Sequence, residues 1–348
     1  MERTAYEDHA MASPGVRAVA ELCPESTATD ADGCFIARSQ TTDVEDQATG
    51  LQHWQQEFLQ ISRGRFSGCV EDFWFGNVQL FRDRCNQAVH QSGHPWPGSR
   101  TIAYAIEADG EGVFSGEPMR KEDLVTLADG QPLDFRTPRN IDCVAATVDS
   151  QALAEHAAQV WHSDASRGLP DSGRIVARPE VARLFTAPLC EVYAHIVGRP
   201  SILHYHHVRR NLEEQLLNAI VMLGAHAELF GRSTSLLGSK TRLVNRAKSL
   251  VLEREDHCVT VSDLCRQLSV SRRTLQYAFE VVCGMSPLSY IKVMRLNRVH
   301  RELRHQAGNA ECSVGDVAAR HGFWHQSRFA SEYRKLFGEL PSATLGKR

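Results

Sequence analysis

Between Gly64 and Val148 apolar and polar residues alternate with a period of two, in short runs punctuated by Gly, Pro and Asp. Residues 66–73, 78–82, 101–106, 112–114, 124–127 and 143–148 read as strands, which predicts an antiparallel sandwich or barrel. Residues 90–98, rich in Gly and Pro, read as a loop between strands. Before this region, Trp54, Phe58 and Leu59 fall at helical spacing, so residues 51–59 predict a short amphipathic helix. Residues 1–36 carry little periodicity and predict a disordered tail, and residues 40–47 enter the first ordered element. After residue 150 the period becomes helical. One helix opens at Ser150, a second follows Arg178-Pro179-Glu180 through Ile196, and residues 211–229 carry the stripe Leu212, Leu216, Ile220, Leu223 and Ala227. Residues 231–235 form a polar linker.

The C-terminal third has a different plan, built twice. Thr260 with Asp263 three residues later is a capping-box signal, and Leu264 and Leu268 share one helical face. Ser271 can cap a second helix in which Leu275 and Phe279 face inward. That leaves Arg272, Arg273 and Gln276 outside, where Arg suits guanine edges and Gln suits adenine edges. Tyr277 reads equally as core or as a thymine-methyl contact. About fifty residues on, Ser313 and Asp316 repeat the cap, Gly322-Phe323 makes the turn, and His325 opens a helix with Phe329 and Tyr333 inward. Gln326, Ser327 and Ser331 occupy its outer face. Such an internal duplication carries more weight than either half. Between the copies, Pro287 begins a helix to Arg304, long enough to set two reading heads about one duplex turn apart. Its Lys292, Arg295, Arg298, Arg301 and Arg304 suit phosphates, as do Ser271 and Arg328. Arg295 reads equally as buried against the first unit.

Charge sharpens this division. From Gly238 onward there are 19 Lys and Arg against 10 Asp and Glu, whereas residues 1–237 hold 20 against 32. A basic module on an acidic body is the footprint of a nucleic-acid binder. The ten cysteines stand singly, with no CxxC, which argues against a zinc ribbon or a disulfide framework. No apolar run reaches about 18 residues and the acidic N-terminus lacks a leader pattern, so the expectation is a cytoplasmic protein with reduced thiols.

Residues 242–348 resemble the DNA-binding domain of the AraC/XylS family of bacterial transcription regulators. The likeness rests on Val270-Ser271 to Phe279, on Gly284-x-Ser286-Pro287-x-x-Tyr290-Ile291 with Arg295-Leu296, and on Gly322-Phe323 to Phe337-Gly338-x-x-Pro341-Ser342. Cys265 departs from the usual Ala, and Trp324-His325 from the usual cap. The resemblance implies an α+β chain. Residues 1–36 are a tail, 37–230 a β-sandwich or barrel-like effector domain with a helical dimerisation segment, 231–241 a linker, and 242–348 an all-α domain of two helix-turn-helix units. It implies base contacts by Arg272, Arg273, Gln276, Tyr277, His325, Gln326, Ser327 and Ser331, and phosphate contacts by Ser271, Lys292, Arg295, Arg298 and Arg328. Partners implied are double-stranded promoter DNA, RNA polymerase, a small-molecule effector and a second copy in a homodimer, in the cytoplasmic, nucleoid-associated pool, with no membrane and no required cofactor. Gln40-Thr41-Thr42-Asp43-Val44, Trp96-Pro97 and Gly322-Phe323-Trp324-His325 through Pro341-Ser342-x-Thr344-Leu345 further resemble the ethanolamine-operon regulator branch, which implies ethanolamine with adenosylcobalamin as effectors.

Other signals weigh less. His204-Tyr205-His206-His207 reads as a polar helix start, because three ligands in four residues cannot converge on one metal from a helix. Gly110 to Gly116 reads as a hairpin turn, since its last Gly is misplaced for a dinucleotide loop. Trp54 and Trp96 read as core before they read as pocket walls. Two alternatives to a regulator are a metal-dependent, cupin-like enzyme and a DNA-repair methyl acceptor bearing the same helix-turn-helix type. The first wants a His and carboxylate set on strands, and the second a four-Cys zinc cluster.

Overall fold

A computed structural model describes residues 28–29, 34–161, 168–226, 238–252, 259–309 and 311–346. The predicted tail 1–36 lies mostly outside them. Within it, the described strand β1 (Ala28–Thr29) pairs antiparallel with β2 (Phe35–Thr41), and Cys34 is buried. The polar linker at 231–235 also lies outside the described residues, and the segment 238–241 assigned to it is helical.

The N-terminal domain is two antiparallel sheets. After β2 come α1 (Val44–Ala48), β3 (Gln55–Gln60), β4 (Gly68–Phe75), β5 (Val78–Cys85), β6 (Val89–His94), β7 (Ser99–Ala108), β8 (Gly112–Phe114), β9 (Glu117–Met119), β10 (Leu124–Leu127), β11 (Leu133–Arg136) and β12 (Ile141–Asp149). With β13 (Ser172–Ile175), one sheet has the order β1-β2-β4-β5-β12-β7-β10-β13 and the other β3-β6-β11-β8-β9. The antiparallel sandwich expected from the alternation is present.

Two local expectations fail. The predicted helix at 51–59 is largely β3, because Gln56, Phe58 and Gln60 form one strand face and Phe58 is buried in the inter-sheet core. Leu59 on the other face packs against the C-terminal domain, so both faces of this strand are covered. The loop read at 90–98 is mostly β6, a strand of polar residues hydrogen-bonded between β3 and β11. Its His90 and Gln91 are buried, which a hydrophobic pattern does not reveal.

Helices α2 (Ser150–Trp161), α3 (Pro179–Gly198) and α4 (His206–Ala225) cover the larger sheet. Leu212, Leu216, Ile220 and Leu223 are all buried in the core shared with β-strand residues such as Phe75, Leu80 and Val144. From the sequence this stripe reads as covered either by a second subunit or by the β domain, and the β domain of the same subunit covers it. His206 and His207 begin α4, as the polar-start reading required.

The C-terminal domain is helical: α5 (Gly238–Leu252), α6 (Val261–Leu268), α7 (Arg272–Cys283), α8 (Pro287–His305), α9 (Val314–Arg320), α10 (Gln326–Phe337) and α11 (Pro341–Gly346). Val244, Ala247 and Val251 of α5 join the core of the first helix-turn-helix unit. The second unit has its own core around Val317, Phe329 and Tyr333. Helix α8 contributes to both, Tyr290 and Met294 to the first and Leu296 to Leu303 to the second.

Candidate nucleic-acid interface

The caps set the first unit. Asp263 N donates to Thr260 Oγ1 at 3.2 Å and Thr260 N to Asp263 Oδ2 at 3.1 Å, a complete capping box that fixes the start of α6. Ser271 Oγ accepts from Thr274 N at 3.0 Å and starts α7. With Leu275 and Phe279 buried, Arg272 and Arg273 stand exposed on the opposite face. Gln276 is half-buried and its Nε2 donates to Glu280 Oε1 at 2.6 Å. Tyr277 is 56% exposed, with the Lys240 ammonium 4.8 Å from its ring centre, so the core reading of this tyrosine is excluded.

The second unit is capped more loosely. Asp316 N donates to Ser313 Oγ at 3.4 Å, and His325 begins α10 without a side-chain cap bond. His325, Gln326, Ser327, Arg328 and Ser331 are exposed, opposite buried Phe329 and Tyr333. Gln326 Nε2 donates to Gly315 O at 3.3 Å, tying α10 to α9. Trp324, just before α10, is 75% exposed; an indole in a polar turn was the sequence signal, and it was read only as a weak cap.

The bridging helix has 19 residues, about 28 Å at 1.5 Å each. Its cations face protein groups. Lys292 Nζ lies 3.1 Å from Glu332 Oε1 and links α8 to α10, and Arg328 meets the same oxygen at 3.4 Å. Arg295 donates to Val259 O at 2.9 Å and Arg298 to Leu252 O at 2.8 Å. Arg301 pairs with Glu57 at 2.8 Å, and Arg304 with Asp43 at 2.8 Å and Asp46 at 2.9 Å. Two of the five charges read as suited to phosphates are therefore held by the N-terminal domain.

Residues 264–347 match a family described as a helix-turn-helix domain. A solved structure of a "probable AraC family transcriptional regulator" from Rhodopseudomonas palustris CGA009 is 30% identical, with 94% of that chain and 30% of this one covered and a TM-score of 0.28. The C-terminal domain is an AraC-type helix-turn-helix domain. The "Probable thc operon regulatory protein" of Rhodococcus erythropolis is 30% identical over 161 residues, 45% of this chain and 47% of its own. "XylDLEGF operon transcriptional activator 1" of Pseudomonas putida is 28% identical over 160 residues, 46% of this chain and 45% of its own. The chain thus spans about half the length of these curated relatives.

The AraC-type domain is docked on the N-terminal domain through two relays, one ending on the smaller sheet and one at the start of α1. In one, the Tyr290 hydroxyl is 2.5 Å from His90 Nδ1, and His90 Nε2 is 2.7 Å from Asp134 Oδ1. Asp134 also accepts from Asn245 at 3.0 Å and faces Lys248 at 3.4 Å. Lys248 Nζ also lies 2.9 Å from His90 Nε2, so that ring nitrogen meets the carboxylate and the ammonium together. Burial, then the Lys248 charge, hold the His90 pKa below its ordinary value. Burial opposes ionisation of Asp134, but His90 and Lys248 outweigh it and hold the carboxyl well below the usual range. In the other relay, Tyr333 meets His300 Nδ1 at 2.6 Å and His300 Nε2 meets Asp43 Oδ2 at 2.6 Å. Between the relays, the Asn297 side chain bonds both backbone polar groups of Gln60, at 3.0 and 3.1 Å. Gly338, with φ 74°, ends α10 so close to the β domain that a Cβ there would lie 2.8 Å from Arg65 N, so only glycine fits.

A cavity opens between the two sheets. Its walls include Phe114, Met119, Val125, Leu133 and Phe135, and it leaves about 60 Å³ for the centres of water molecules. Trp54 is among its walls, so this tryptophan serves as core and lining together; both it and Trp96 donate to Gln79 Oε1, at 3.0 and 3.2 Å. No helix among the described residues is long and apolar enough to cross a membrane.

Proposed function

We propose that the protein is a sequence-specific regulator of transcription that binds double-stranded DNA through its AraC-type domain and senses a small molecule through its β domain. The observation that carries the reading is the pair of recognition helices joined by α8. Each shows a solvent-facing polar surface, Arg272, Arg273 and Tyr277 on α7 and Gln326, Ser327 and Ser331 on α10. Heads joined by a helix about 28 Å long suit adjacent major-groove segments of one duplex face. Arg272, Arg273, Gln276, Tyr277, His325, Gln326, Ser327 and Ser331 are the proposed base contacts, with Ser271, Lys292 and Arg328 at phosphates. Arg295 and Arg298 position the helices instead, through their bonds to Val259 and Leu252.

An activating role is favoured by the names of the xyl relatives, and RNA polymerase is the partner that such a role would require. Homodimerisation is part of the proposal only through surfaces other than the buried Leu212 to Leu223 stripe. The ethanolamine-branch likeness rests on short motifs, and the matched relatives are named for thc and xyl operons, so ethanolamine and adenosylcobalamin are not carried forward. A methyl acceptor needs a reactive thiolate, whereas burial pushes the Cys283 thiol up to about 12 and raises those of Cys85, Cys143 and Cys190.

The test is a binding titration of the full chain on the promoter region beside its own gene, against random duplex, at several salt concentrations. Affinity should prefer the promoter and fall steeply with salt through counterion release. A folded protein with no affinity for either duplex at low salt would refute the reading.

A further inference from the structure

The walls of the β-domain cavity are mostly apolar, with Thr101, Thr126, Gln56, Asp83 and Gln91 as their polar members. Asp83 of β5 accepts from Gln47 Nε2 at 2.5 Å and from Gln91 Nε2 at 3.1 Å. Both donors are neutral amides, and no cation of the described residues pairs with this carboxylate. Strand alternation explains why: Arg82 points to the other face, where it bonds Asp142 and Tyr193, and Arg84 lies toward Glu71. Cys143 stands directly across from Asp83 in register and lines the cavity with it. Asp83 keeps some accessible surface and is among the residues that line this space.

A second acceptor lines the same cavity. Gln56 of β3 is opposite Gly93 of β6, two places along from the Phe58–Gln91 pair and on the same strand face as Phe58. Gln56 lines the cavity, and its buried Oε1 has no hydrogen-bond partner. An unpaired buried acceptor costs about 1–3 kcal/mol, and a buried carboxylate without a counter-charge costs more. Burial pushes the Asp83 carboxyl up to about 6. The cavity thus presents a carboxylate without a counter-charge among the described residues and an unpaired amide oxygen within mostly apolar walls.

We propose that this cavity binds a small protonated amine with a short apolar tail, its ammonium donating to Asp83 and to Gln56 Oε1 while the tail lies against Phe114, Met119 and Phe135. The assignment rests on the reading of the β domain as a sensor and supplies its ligand class. Since a water needs about 10–15 Å³ of such space, about 60 Å³ admits roughly four to six non-hydrogen atoms. A carboxylate ligand of the same shape would meet Asp83 at like charge. An alcohol would satisfy the acceptors without neutralising the charge.

The experiment compares three isosteric probes, n-butylamine, 1-butanol and butyrate, by calorimetry and thermal shift on the full chain at neutral pH. Butylamine should bind at least tenfold tighter than butanol, and butyrate should not bind. In Asp83→Asn the amine affinity should fall at least tenfold while butanol binding changes less than twofold. Gln56→Leu, which removes the second acceptor but not the charge, should weaken the amine severalfold and guards against a folding defect in the first variant. Equal binding of the three probes, preference for butyrate, an amine preference retained in Asp83→Asn, or no binding at all would each overturn the amine assignment. The sensor reading is judged apart, by Ala103→Leu, which fills the cavity. If that variant leaves promoter affinity unchanged and no probe alters it in the wild type, the sensor reading falls too; if another probe binds and alters it, only the amine assignment falls.

Discussion

Removing Asp134 tests whether the AraC-type domain is held to the β domain by charge at its core. Asp134 sits on β11, whereas Asn245 and Lys248 come from α5, so the cluster spans the junction of the domains. The side chains of Asp134 and Lys248 are each 13% exposed. Breaking a buried pair from one side strands the other charge and costs about 3–5 kcal/mol, so Asp134→Ala should destabilise the full chain by roughly 3 kcal/mol at pH 8. Lys248→Met should cost less, because Asp134 keeps His90 and Asn245. The double variant should regain much of the loss, giving a coupling of about 1.5–3 kcal/mol, within the range for residues of one network. The assay is urea denaturation of the four proteins, followed at two probes to check that the domains unfold together. The pH dependence has a definite sign. The lowered carboxyl of Asp134 contributes stability above its unfolded pKa of about 3.8, lost as pH falls through the folded value. His90, also lowered, contributes above 6.5 and loses that contribution below it. Asp134 raises the His90 pKa against burial, so below pH 6.5 Asp134→Ala loses more stability than wild type. The gap between the two should therefore widen there and narrow only below about pH 3.8. A coupling under about 0.5 kcal/mol, or a gap that narrows between about pH 6.5 and 4, would refute the argument.

Three further outcomes are expected. Arg273→Ala should weaken promoter binding by about 1–3 kcal/mol and random DNA much less, measured by paired titrations; equal losses would mean that α7 faces away from the bases. Leu216→Glu should leave no folded, soluble protein, because it places a charge where the side chain is fully buried; circular dichroism of a soluble, folded monomer would contradict this. Asp83→Asn, without ligand, should stabilise the chain above pH 6 by about 1–3 kcal/mol, because a carboxyl raised to about 6 favours the folded state only while protonated. That difference should vanish below about pH 4, and thermal melts across the range check it.

The helix-turn-helix units were legible because their determinants are local. Thr260, Ser271, Ser286 and Ser313 cap helices through residues three places on, and Leu275, Phe279, Phe329 and Tyr333 repeat at helical spacing. The rest depends on what lies opposite in space. The strand at Val89–His94 looked like a loop because its buried side chains are polar and find partners on other elements, His90 at Tyr290 and Gln91 at Asp83. The strand at Gln55–Gln60 mimicked a helix because each of its faces meets a different domain. Arg301 and Arg304 were assigned to phosphates because nothing near them in the chain shows that Asp43, Asp46 and Glu57 lie across from them. The stripe on α4 was visible, but a stripe does not say whether a second subunit or the subunit's own sheet covers it.

The docking relays have a consequence for the DNA. One grips Tyr290 at the start of α8, beside the first reading unit, and the other grips His300 and Tyr333, within the second. Both anchor on the N-terminal domain, so the two recognition helices behave as the jaws of a caliper whose screw is the β domain. While both relays hold, the gap between the jaws is fixed, and the duplex must bend or twist to fit, at a cost that depends on its sequence even where no side chain touches a base. A promoter whose half-sites already match the gap binds without releasing the screw. One that does not match either bends or pulls His300 from Asp43, and those two routes separate in a measurement of DNA bend angle.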